Sequence, residues 1–300
     1  MYEKRLTRSL FTAYIFLITL LLPPELSLAE SKSFLWKVQA KTGVAYVLGS
    51  IHALKKDVYP LNKKILDVYS DADILVVEAN ISNIEPEVMQ NALLKGAMYA
   101  GEGSLKTHVS RDTYERTKLK FSDYGQSLSE LDKFKPHFIA ILLTALEMQK
   151  QGFDPEFGID RFFLNKAIED KKEIRELESF DFQADLFRSF SDEEQELFLI
   201  YTLVDLDIIG SQLNTLIDSW LTGDPDTMES ILTKSIVERP ELQPVYKILI
   251  DNRNEAMVKK MERYLATENS YFVVVGAAHL IGDKGLINLL KEKGYAITQL

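Results

Sequence analysis

VLGSIHAL, residues 47–54, ends an apolar run at Leu48, breaks at Gly49 and sets His52 three residues later. FVVVGAAHL, residues 272–280, repeats the arrangement with Gly276 and His279. The chain has 4 histidines, so half of them share one local pattern. Each apolar run reads as a buried strand. Each glycine then ends its strand in a sharp turn, taken at positive φ without steric penalty. Both histidines would stand just beyond a strand's carboxyl end, the crevice where open α/β sheets gather ligands and catalytic groups.

Working outward, FLWKVQA (34–40) and VAYVLG (44–49) flank Thr42-Gly43 and predict a hairpin. Leu61, Ile65, Leu66 and Val68 predict a short amphipathic helix, and DILVVEAN (73–80) a buried strand ending on Glu78. From Glu85 to Leu265 the pattern is mainly helical. PHFIAILLTALEMQKQG (136–152) opens on Pro and stops at Gly152; GIDRFFLNKAIEDK (158–171) is amphipathic. KEIREL (172–177) is a short strand leading to Glu178, and Ser191 caps a long helix with acidic residues in its first turn. After VYKILIDNRNEAMVKKMERYL (245–265), the chain closes with strand (270–276), helix (284–294) and strand (295–300). The expected fold is α/β: a central mixed β-sheet with flanking helices and a large helical insertion over about 85–170 and 190–265.

Residues 1–29 read as a secretory signal: Lys4, Arg5 and Arg8 precede the apolar stretch from Ser9 to Leu22, and Ser27-Leu28-Ala29 suits cleavage. The apolar stretch falls short of the roughly 20 residues a bilayer span wants. The expectation is an exported protein, periplasmic or secreted, whose single α/β domain covers 30–300 and keeps no stable membrane span. With no Cys there are no disulfides and no thiolate metal ligands. A net charge of −10 without a basic stripe argues against nucleic acid as a partner. G-x-S-x-G, H-E-x-x-H, Walker A and G-x-G-x-x-G motifs are absent, which removes the usual support for serine hydrolases, zincins and nucleotide binders.

Two imidazoles and a strand-end carboxylate suit two chemistries. His52, His279 and Glu78 match a catalytic metal environment that leaves a position for water. Without metal, a His–Glu pair can itself deprotonate water. A purely structural role, histidines hydrogen-bonded at strand ends, fits the same residues. His108 and His137 lack the strand–Gly context and read as surface or helix-start residues. The aromatics of DRFF and DFQADLFRSF read as core, and Arg253-Asn254, within an amphipathic helix, as part of a solvated face.

These residues sit in a longer series: FLWKV, YVLGSIHALKKDVYPL, ADILVVEAN, FGIDRFFLNKAIEDKKEIRELESFDFQ, DSWLTGD, RNEAM and YFVVVGAAHLIGDKGLINLLKEKGYAITQL. In that order they resemble the TraB/GumN family, which is related to the TIKI metalloproteases and, more distantly, to erythromycin-esterase-like and ChaN-like proteins. The resemblance implies a TIKI/erythromycin-esterase-like fold with His52, Glu78 and His279 at a common site, and with Glu178 and Arg253-Asn254 nearby. TIKI relatives are divalent-metal-dependent proteases, whereas the esterase relatives activate water with His and Glu alone. The leading expectation is therefore an exported metal-dependent peptidase acting on a peptide or protein. His52 and His279 would bind Mn, Co or Zn, and Glu78 would be the third ligand or the general base. Glu178 joins Glu78 in the catalytic set, Arg253 would stabilise an oxyanion, and the helices over 85–150 would roof the site. The alternatives are a metal-free His/Glu hydrolase and a non-catalytic protein that binds metal, haem or peptide.

Overall fold

The structure, a computed structural model, describes residues 32–300, so the expected signal segment lies outside the described residues. Strand β1 (Leu35–Gln39) and strand β2 (Val44–Ser50) form the hairpin, with Trp36 opposite Val47 and Val38 opposite Ala45. Helix α1 (Lys63–Asp71), capped by the Asn62 side chain, leads into β3 (Ile74–Val77), all four of whose residues are buried. The helical region follows: α2 (Arg111–Ser122), α3 (Pro136–Lys150) and α4 (Ile159–Glu169). Then come β4 (Glu173–Glu176), α5 (Phe180–Leu186), α6 (Asp192–Thr222) and α7 (Asn252–Leu265). Strand β5 (Ser270–Gly276), helix α8 (Leu286–Glu292) and strand β6 (Ala296–Gln299) close the chain, and further helices such as Pro86–Leu94 and Pro225–Leu232, with short helical turns, fill the connections.

The sheet order is β4-β3-β5-β2-β1-β6. Strands β4, β3, β5 and β2 are parallel, while β1 runs antiparallel to both β2 and β6. Strand β5, last but one in the chain, inserts between β2 and β3, so the two halves of the sequence meet at the centre of the sheet. All four parallel strands consequently finish on one edge. Ile74–Val77 and most of β5 are buried on both faces, as central parallel strands must be when helices cover both sides.

Two apolar cores result. One surrounds the sheet and includes Phe34, Leu48, Leu75, Phe163, Met257 and Val274. The other lies among helices and contains Phe121, Ile139, Leu143, Leu199, Leu203 and Val245. Ser191 caps α6 through a reciprocal capping box with Glu194, and Gly223 ends it in the left-handed conformation at φ 66°. Among the described residues no helix is long and apolar enough to cross a membrane.

Two sequence expectations need correction. Gly49 and Gly276 do not turn the chain at positive φ; both belong to their strands, and Gly276 has φ −48°. Their requirement is the missing side chain. A Cβ at Gly49 would collide with Phe34 Cδ1 and lie 2.8 Å from Leu280 Cδ1, both core residues. The aromatics of DFQADLFRSF are not all core either: Phe190 is buried, but Phe182 is 45% exposed because α5 turns Gln183 inward instead. Gly49→Ala is expected to destabilise the fold by about 1–3 kcal/mol through overpacking, read as a lowered urea midpoint with an unchanged denaturant slope.

Candidate functional site

The four parallel strands deliver their following residues to one edge. Ser50 pairs in register with Gly276, so the segments carrying His52 and His279 leave the sheet side by side. Beyond β3 and β4 the backbone pairing continues, with Leu177 N donating to Val77 O at 2.8 Å and Glu178 N to Glu78 O at 2.7 Å. The ladder register, with Val77 opposite Glu176, would set Glu78 beside Leu177; the Glu178 N–Glu78 O bond lies one residue off it and draws the two glutamates close.

Helix α7 supplies the counter-charge. Arg253 Nε donates to Glu178 Oε1 at 2.9 Å; its Nη2 donates to Glu178 Oε2 at 2.7 Å and to Glu78 Oε2 at 2.9 Å. Nη1 donates to Leu249 O at 3.0 Å, within the π-helical turn Lys247–Asp251 that leads into α7. Such turns insert a residue into the helical register and recur at functional sites. Gln183 Nε2, from α5, bridges Glu78 Oε2 at 3.1 Å and Glu178 Oε2 at 3.0 Å. The remaining Glu78 oxygen, Oε1, accepts from Gly276 N at 2.6 Å. Burial works against the Glu78 carboxylate, but positive charge at His279, His52 and Arg253, with the Gly276 amide, holds its pKa down at about 2.

The histidines are placed differently. His279 is 4% exposed, and its Nδ1 lies 2.6 Å from Asn254 Oδ1. Because Asn254 Nδ2 donates to Lys284 O at 2.7 Å, Oδ1 is the acceptor and His279 Nδ1 carries the proton. Its Nε2 faces Glu78 Oε1 at 3.9 Å, beyond hydrogen-bonding range. Burial, opposed by Glu78 and assisted by Arg253, lowers the His279 pKa to about 4, so the ring is neutral at pH 7. At that pH the Glu78 carboxylate rests on Arg253, His52 and the amide.

His52 sits at the mouth, with 65% of its side chain accessible. Its Nδ1 meets Asp160 Oδ1 at 2.8 Å, and Ser50 Oγ donates to the same oxygen. Desolvation at the cleft works against the imidazolium, but at so accessible a ring the charge and hydrogen bond of Asp160 prevail and raise the pKa to about 9. A Cβ on Gly276 would lie 3.1 Å from His52 Nε2, 3.1 Å from Glu78 Oε1 and 3.6 Å from His279 Cδ2. The glycine thus leaves a cradle walled by those three side chains.

The structure brings together His52, Glu78, Glu178, Arg253 and His279. Arg253 and Asn254 are not on a solvated face: both turn toward the sheet edge, and Asn254 is fully buried. Arg253 spends most of its donors on two carboxylates, and Glu178 lies behind Arg253 with no described hydrogen bond to either histidine. Helices α4, α5 and α7 reach the site, while residues over 105–150, part of the segment expected to roof it, pack with α6 in the second core. His108 is exposed and stacked on Tyr99, and His137 is buried against Gln195; neither joins the site. Sequence reasoning missed Asp160, Ser50 and Gln183. The available signal for Asp160 was Gly158-Ile159-Asp160 at a helix start. A Cβ at Gly158 would collide with the His52 carbonyl oxygen, so the helix docks there only through glycine.

The chain is similar to known proteins along most of its length. The model of the TraB/PrgY/gumN family matches residues 34–299. YbaP of Escherichia coli (strain K12) is 26% identical over 82% of this chain and 87% of its own length. A Treponema pallidum (strain Nichols) protein is 24% identical over 94% of this chain and 91% of its own. A protein of Nematostella vectensis named as a metalloprotease TIKI homolog is 22% identical over 88% of this chain and 66% of its own. No solved structure matches significantly.

Two consequences can be measured. Arg253→Met leaves Glu178 buried without a counter-charge and Glu78 with His52 alone, and is expected to cost about 3–5 kcal/mol; adding Glu178→Gln should return part of that loss in urea unfolding. Glu78, held near 2 against an ordinary 4.5, contributes stability that is complete above about pH 4.5 and lost as pH falls toward 2. Glu78→Gln should accordingly flatten the decline in urea midpoint across that window.

Proposed function

The chain belongs to the TraB/PrgY/gumN family, and on that premise we propose that it is an exported metal-dependent hydrolase that cuts peptide bonds. The observation that carries the reading is the cradle over Gly276, where His52 Nε2, Glu78 Oε1 and the His279 ring converge. Two imidazoles and a carboxylate fit Zn, Mn or Co by donor type. Each imidazole also has its Nδ1 bonded to an oxygen, the support that metal-binding histidines usually have. His52, His279 and Glu78 would hold the ion, which when bound would acidify a water and polarise the scissile carbonyl. The names of distant relatives support the same reaction class, and the basic and apolar residues at the N-terminus support export.

The chain's own groups supply the rest. Arg253 and Gln183 fix Glu78 Oε2, and the Gly276 amide fixes Oε1, so the carboxylate presents one orientation to the cradle. The buried Asn254 contact keeps the His279 Nε2 lone pair directed at the same space. With a metal bound, His52 Nε2 would be a ligand; without one, His52, at the mouth and backed by Asp160, can exchange a proton at Nε2 with solvent or with a leaving amine.

A second reading is favoured by a specific observation. Among the described residues no three His, Asp or Glu side chains stand ready-made as a metal cluster, and both Glu78 oxygens already accept hydrogen bonds. In a metal-free hydrolase His52 and Glu78 would activate water themselves.

Calorimetric titration of the chain from Glu30 with Zn²⁺, Mn²⁺ and Co²⁺, followed by a peptide-library digest, separates the two. The expected result is binding near one equivalent, lost in folded His52→Ala and His279→Ala. Hydrolysis should be abolished by chelator and reduced about 10²–10⁴-fold in Glu78→Gln. Hydrolysis that persists in chelator would replace the metal reading with the metal-free one, and a folded chain that neither binds metal nor cuts any peptide would sink both.

A further inference from the structure

Glycine 158 lets the start of α4 come against the backbone of His52, and Ile159 N donates to Ile51 O at 3.1 Å. That contact brings in Asp160, whose Oδ1 meets His52 Nδ1 at 2.8 Å and accepts from Ser50 Oγ. Ser50 Oγ in turn accepts from Asp160 N at 3.3 Å, so serine and aspartate clamp each other. Ser50 itself is 3% exposed at the end of β2, paired in register with Gly276. The aspartate is thus tied to the rigid strand end that also forms the cradle, whereas 65% of the His52 side chain is open to solvent.

We propose that Asp160, held by Ser50, is a positioning residue that aims His52 Nε2 across Gly276 toward Glu78. An accessible imidazole would otherwise sample several ring orientations, and most would carry Nε2 away from the cradle. The Nδ1–H···carboxylate bond selects one orientation and leaves Nε2 as the working nitrogen. His279 reaches the same end by a different device: its orientation comes from burial and from the amide of Asn254. This proposal rests on His52 being a working residue of the site, and it holds for either chemistry proposed above.

The test uses the full mature chain, free of metal. With 4 histidines in the sequence, histidine ring signals are assigned from the His52→Ala and His279→Ala spectra, and each ring is titrated by NMR. The groups facing His52 are Asp160, Glu78, Arg253 and His279. Asp160→Asn, which keeps the shape and removes the charge, is expected to lower the His52 midpoint by about one to three pH units and to leave the His279 midpoint in place. Ser50→Ala should move it in the same direction by less. An unchanged His52 midpoint in folded Asp160→Asn overturns the proposal. If that variant fails to fold, Ser50→Ala carries the decision by the same criterion.

A double-mutant cycle adds a readout that a merely structural role would not move. Asp160→Asn should weaken Zn²⁺ binding about 10- to 100-fold in wild type and leave the residual binding of His52→Ala unchanged. Equal losses in both backgrounds would mean that Asp160 acts through the fold and not through His52. A wild-type chain that binds no metal would remove the metal reading alone, because the NMR measurement is made without metal.

Discussion

Two carboxylates forced together by backbone pairing set the terms for the whole sheet edge. Neighbouring strands lie about 4.8 Å apart, and just past the ends of β3 and β4 Glu178 N bonds Glu78 O, one residue off the ladder register, so the two acidic side chains start from adjacent backbone. Like charges near 5 Å repel by roughly 3 kcal/mol at an effective dielectric of 20. Arg253 removes that repulsion with three hydrogen bonds, two to Glu178 and one to Glu78, and Gln183 supplies neutral donors to both. The orientation of Glu78, the approach of α7 and the docking of α5 all follow from this one cluster. Asn254, next in sequence to Arg253, is carried in with it and reaches His279.

The two histidines that look alike in sequence are unlike in the fold. His279 is buried beside an amide and stays neutral; His52 is exposed beside a carboxylate and takes up a proton readily. Burial lowers the proton affinity of His279, whose partner Asn254 brings no charge to oppose it, while the charge of Asp160 raises that of His52. The site thus presents one fixed neutral nitrogen and one that exchanges protons with solvent.

Much of this was legible in the sequence because periodicity marks buried strands and punctuation marks helices. The hairpin, the strands leading to Glu78 and Glu178, and the capped helix from Ser191 all stand within one or two residues of where the pattern places them. The glycine pair was legible as a signal and misread as a cause: the constraint is the absent Cβ, not φ, and only the packing of Phe34, Leu280 and the cradle residues reveals it. Arg253 and Asn254 were hidden because an amphipathic stripe does not distinguish a polar residue facing water from one facing buried carboxylates. Asp160 was hidden because its contact spans 108 residues, a separation across which no local spacing rule operates.

The 31-residue helix α6 touches both apolar cores: Leu199 and Leu203 pack among the helices, while Leu216 and Trp220 pack on the sheet. At about 1.5 Å of rise per residue it is a strut roughly 46 Å long. Its far end is pinned by Trp220 Nε1 donating to Gly49 O at 2.6 Å, three residues before His52. A rod fastened at both ends transmits tilt. Rearrangement of the helical core therefore cannot stay local: it either bends this strut or levers the indole against the strand end from which His52 departs.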